Sequence, residues 1–214
     1  MSALCENLIS NNSASKYGVD ICNSALNLLG ASTITQLTED SKNARLCNQR
    51  YEPIRDRMFR SHAWNCLTKR VQLAEDSSAP VVEFSNQFTL PSDCLRVLKI
   101  HNGTTDSIAS ALDYAVEGRK IKTDEGTVFL VYIAKITDPN EYDSYLIEAL
   151  AAAIAADIAY AITNNATLAN NYQNVADERL REARFVDATE GQNTNPDNGQ
   201  SDVIGSSSFI NARY

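Results

Sequence analysis

The sequence predicts an α+β fold. Antiparallel helices, two N-terminal and a long Ala-rich C-terminal one, pack with a central antiparallel β region, and an extended C-terminal tail follows. Three observations carry this. Apolar residues recur at spacings of three and four over about 16–61 and again over about 140–186. Between 67 and 136 the period falls to two. From 187 onward the composition turns to Asn, Gly, Gln, Ser and Asp. With 214 residues and 43% hydrophobic content the chain is long and apolar enough for one core. A single α+β domain is therefore expected over 1–186, with 187–214 as the tail.

Residues 1–15 are polar and weakly patterned. Ser15 can cap a first helix, about 16–29, whose Ile21, Cys22, Ala25, Leu28 and Leu29 share a face. Gly30 stands where a left-handed C-terminal cap is expected, and Ile34 and Leu37 then plug the core. Thr38 or Asp40 can cap a second helix, about 40–61, with Ala44, Cys47, Tyr51, Ile54 and Met58 as a narrow apolar stripe. Pro53 removes one backbone donor inside it and should kink it. The opposite face carries Arg45, Arg50, Arg55, Asp56, Arg57 and Arg60.

Six strands are expected: 67–74, 84–90, 95–101, 111–116, 119–123 and 128–136. Glu117-Gly118 signals a hairpin and Asp124-Glu125-Gly126 a turn, with loops at 75–82 and 102–110. Leu146, Leu150, Ile154, Ile158 and Ile162 then form a row at spacing four, filled in by alanines. A helix apolar nearly all round is a buried one. A second stretch runs through Leu168, Tyr172, Val175, Arg179 and Ala183 to about Phe185. Thr163-Asn164-Asn165 is the weak point where the long helix would break.

The net charge of −8 argues against direct nucleic-acid binding, which runs on Lys and Arg neutralising phosphates. It suits a surface past which DNA slides without sticking. Five scattered cysteines without a CxxC, and two histidines, His62 and His101, argue against a zinc site and for reduced, mostly buried thiols. No basic region followed by an apolar stretch opens the chain, and the run from Leu146 to Ile162 is interrupted by Glu148 and Asp157. Neither a signal peptide nor a membrane span is expected.

No catalytic, metal-binding or cofactor-binding residues are assigned. The sequence has no GxSxG elbow, HExxH or phosphate-cradling glycine loop. His62, beside Trp64, reads first as the residue that orders a corner. The pairs Glu39-Asp40, Glu75-Asp76 and Asp124-Glu125 read as caps and solvated turns. Five arginines within 45–60 are a local excess on an acidic chain. They read as a solvated face, as a contact for an acidic neighbour, or, least well, as a DNA contact. Arg50, Arg57 and Arg60 are the interface candidates from this set. Phe209, Ile210, Arg213 and Tyr214, the sticky tip of a polar tail, are the others.

Several pieces, in order, resemble the tail tubular protein A family, the head-to-tail adaptors of T7-like podoviruses. They are Cys22-Asn-Ser-Ala-Leu, Leu29-Gly-Ala with Ile34, Asp56-Arg-Met with Phe59, Ser61-His-Ala-Trp-Asn, Lys69-Arg-Val-Gln-Leu-Ala and Leu90-Pro-Ser-Asp-Cys-Leu-Arg-Val-Leu. Glu182-Ala-Arg with Asp187 and Glu190-Gly, and Phe209-Ile-Asn-Ala-Arg, complete the set. Cys66 departs from the pattern, which commonly has an aromatic there. The resemblance implies a structural virion protein without catalysis or cofactor, assembled in the host cytoplasm and located at the head-tail junction. It implies a twelvefold ring joining the portal to a tail nozzle like tail tubular protein B. Tail fibres would attach nearby, and DNA would be ejected through the lumen without specific binding. The rival readings are a tail-associated hydrolase and a generic α+β protein-binding module.

Overall fold

A computed structural model describes residues 18–103 and 112–190. Ser15, Cys5 and the tail-tip candidates Phe209, Ile210, Arg213 and Tyr214 lie outside the described residues. The described fold is α+β, with four helices and two small antiparallel sheets.

Helix α1 (18–28) buries Val19, Ile21, Cys22, Ala25 and Leu26. Leu28, expected on that face, is instead 44% exposed, because the buried stripe runs through Leu26. The helix ends in a Schellman motif. Ala31 N–H donates to the Leu26 carbonyl at 3.0 Å and Gly30 N–H to that of Asn27 at 3.1 Å, with Gly30 at φ 67°. The Asn23 side chain then pins the following loop through both polar groups of Ile34, at 2.8 and 2.9 Å, which seats Ile34 in the core.

Helix α2 (Lys42–Ser61) is capped by Ser41, whose hydroxyl accepts from Ala44 N–H, rather than by Thr38 or Asp40. It runs unbroken through Pro53 and buries the expected stripe together with Phe59. Arg55 is a correction. Placed by spacing on the solvated face, it is 3% exposed, its guanidinium 5.6 Å from the Tyr51 ring centre and 2.8 Å from Asp56.

All six expected strands form, four of them shortened, while the third begins one residue early at Cys94 and the fourth runs on to Glu117; Ala111, where the fourth was expected to begin, lies outside the described residues. β1 (Thr68–Leu73), β6 (Val128–Ala134) and β3 (Cys94–His101) make one sheet with β6 central. β2 (Asn86–Thr89), β5 (Lys120–Thr123) and β4 (Ala115–Glu117) make the other, with β5 central. β4 and β5 are joined by the two-residue turn Gly118-Arg119, at φ 54° and 62°. Positive φ at both central residues is what a tight hairpin matching strand twist requires. Arg119 is held there by donating to the carbonyl of Pro91 at 2.6 Å.

The long C-terminal helix is two helices. α3 (Ser144–Thr163) and α4 (Ala166–Glu190) form an antiparallel hairpin, with Glu148 near the start of α3 ion-paired to Arg179 in the second half of α4. The chain reverses at Asn164, whose φ of 52° is left-handed. Asn is among the few side-chain-bearing residues that tolerate this conformation. Asn165 then accepts from Leu168 N–H to start α4. α3 is capped by Asp143 and buries ten residues. By length and hydropathy it could cross a membrane, but more than half of that stretch is buried inside the fold, packed against α2 and α4. α4 continues to Glu190, past the helix end expected near Phe185. Its inward row is Ala176, Leu180, Ala183 and Asp187, one position off the expected Val175 and Arg179, both of which face solvent.

Candidate interaction site

The corner between α2 and β1 is built around Trp64. Its indole N–H donates to the Met58 carbonyl at 3.0 Å, closing the end of α2, and its ring is fully buried. The His62 ring meets it edge-on, 4.8 Å between centroids. The Thr68 hydroxyl donates back to the Trp64 carbonyl at 2.7 Å, closing a single 3-10 turn over Asn65–Leu67 that leads into β1.

Asp187, from the last turns of α4, enters this corner. Its carboxylate accepts from Asn65 N–H at 2.9 Å and lies 3.0 Å from His62 Nε2. Its backbone carbonyl accepts from the Asn65 side-chain amide at 2.7 Å. One turn earlier Arg184 donates to the Ser61 hydroxyl at 3.0 Å. Segments 61–65 and 184–187, more than 120 residues apart in sequence, thus close one polar clasp. A carboxylate only 4% exposed is tolerable because both of its oxygens are met.

A histidine oriented by a carboxylate is also part of hydrolytic machinery, which needs a nucleophile on the other ring nitrogen. Among the described residues none is there: the Ser61 hydroxyl donates to the Met58 carbonyl and accepts from Arg184. Burial, with the charges of Asp187 and Asp143 adding to it, pushes the Cys66 thiol above its ordinary range, so it is no ready thiolate.

The three arginine candidates meet different surroundings. Arg50 forms a bidentate pair with Asp157 of α3, at 2.5 and 2.7 Å, within its own chain. Arg60 donates to the Leu95 carbonyl while Arg96 donates to the Arg60 carbonyl, which ties α2 to β3. Arg57 is exposed and, among the described residues, has no ion-pair partner; it lines a groove of about 250 Å³ with Asp157, Gln173 and Asp177. Spacing placed all three on one face but gave no sign of acceptors on α3 and β3. Asp187 was legible only as a match to the family pattern, although the row Ala176, Leu180, Ala183, Asp187 continues at helical spacing.

No family model matches the chain, and no curated protein matches it.

Proposed function

We propose that this protein is a structural, ring-forming adaptor of a podovirus-type tail, similar to tail tubular protein A, joining a portal to a tail nozzle. The observation that carries the reading is the clasp. Two of the segments on which the resemblance rests, Ser61–Asn65 and Glu182–Asp187, lie far apart in sequence and form one hydrogen-bonded unit. Chance similarity of short segments gives no reason for them to meet.

The surface chemistry suits the role. The chain is acidic, with a net charge of −8, and its arginines are largely engaged inside the fold. A lumen of such subunits repels rather than binds passing DNA. Subunits in a closed ring meet through heterologous contacts, which need two different surfaces per chain. Arg57 in its aspartate-lined groove, and the tail tip with Phe209, Ile210, Arg213 and Tyr214, are proposed as portions of those surfaces.

The test is the mass of the purified protein, alone and mixed with its portal, by native mass spectrometry or light scattering. A large discrete ring, formed alone or on the portal, is the expected result. A chain that stays monomeric with portal present overturns the adaptor reading.

A further inference from the structure

The loop between β1 and β2 carries Pro80-Val81-Val82-Glu83 at its tip. Val81 is 96% exposed and Val82 64%, two adjacent apolar side chains facing water. The stems of this loop are pinned. Asp76 N–H donates to the Gln87 carbonyl at 2.9 Å, the buried Gln87 side chain donates to Ser78 at 2.9 Å, and Ser85 N–H donates to Asp124 at 2.8 Å. The Asp76–Lys120 ion pair adds a further tie. Phe84 N–H donates to the Val82 carbonyl across Glu83, whose φ is 73°. That is a γ-turn of the rare positive-φ kind, unfavourable for a residue with a side chain. Backbone strain is thus retained at the point that holds two valines outward.

The helical part has a concave counterpart. Leu28 of α1, Ala151 and Ala152 of α3 and Val175 of α4 line an apolar groove of about 270 Å³. Leu28 and Val175 are 44% and 38% exposed on its walls, and the Glu148–Arg179 ion pair stands at its edge. Within one copy the knob and the groove are both open among the described residues, none of which fills the groove.

We propose that Val81 and Val82 of one copy insert into the α1–α3–α4 groove of the next, with Glu83 reaching Arg179 as a second carboxylate. A convex apolar feature and a concave one at different places on one chain make a head-to-tail contact, the kind that closes rings. This rests on the ring reading and deepens it by naming the two surfaces that meet.

The experiment places the photoreactive residue benzoylphenylalanine at position 82 and irradiates a mixture of labelled ¹⁵N and unlabelled ¹⁴N chains. The expected result is mixed-isotope adducts mapping to peptides around 147–152 and 172–179. In parallel, Val81→Asp with Val82→Asp is expected to weaken self-association at least about tenfold while leaving the thermal midpoint unchanged, since neither side chain packs inside the fold. Oligomers that persist in the double variant, or adducts that map elsewhere, overturn this contact and leave the ring reading standing. Wild-type chains that do not associate even at roughly millimolar concentration, where contacts of about 4 kcal/mol are populated, overturn the contact. The portal mixture described above then decides separately whether the ring reading falls with it.

Discussion

Asp187 gathers partners more than 120 residues away in sequence into one small polar cluster. Replacing it by Ala leaves Asn65 N–H and His62 without their acceptor in a buried corner. The expected cost is about 2–4 kcal/mol, measured by urea unfolding, because the partners lose a charged acceptor without regaining water. Arg50→Ala should cost no more than about 1 kcal/mol, since its guanidinium is half exposed and screened despite the bidentate geometry. Arg57→Ala should leave stability within about 0.5 kcal/mol and act, if the adaptor reading holds, on association alone. Tyr132 supplies a pH dependence. Burial first, and then Asp93 beside its hydroxyl, push its ionisation up from 10.0 to about 12. The folded state therefore holds this proton more tightly than the unfolded chain does. Its contribution is complete below pH 10 and is lost as pH rises toward about 12. Asp93→Asn should narrow that window in alkaline unfolding curves.

At the scale of elements, most of the fold was legible because local rules and tertiary packing agree. Period-two alternation located all six strands, and Gly118 located the hairpin, since its left-handed backbone is a local demand. The helix break at Asn164 was legible as a weak point but not as a reversal. Whether Asn caps a helix or merely interrupts it depends on α3 and α4 having faces that fit each other. The register of α4 was misread for a related reason. Val175 and Arg179 fit the expected spacing as well as Ala176 and Leu180 do, and only the alanine-lined surface of α3 selects the smaller residues. Arg55 escaped because sequence shows its charge but not the Tyr51 ring and Asp56 that receive it. The candidate site was the least legible portion, since its acceptors lie on other elements. The reversal can be tested directly. Asn164→Ala should cost about 1 kcal/mol in thermal or urea unfolding, from left-handed strain, whereas Asn164→Gly should be nearly neutral.

For the whole molecule, the clasp joins the last turns of α4 to the corner that starts the β region, so the helical hairpin and the sheets are not independent. A chain ended after Val186 lacks Asp187 and should melt well below one ended after Glu190. For a domain of this size each kcal/mol lost lowers the midpoint by about 2–4 °C, so a gap of several degrees is the expected calorimetric result. The same coupling carries an optical consequence. Trp64 is the chain's sole indole, and it sits against the imidazole that Asp187 holds. Its emission is a built-in gauge of whether the end of α4 is seated. Any partner that pulled the hairpin away from the sheets would shift that glow toward the red, with no dye attached.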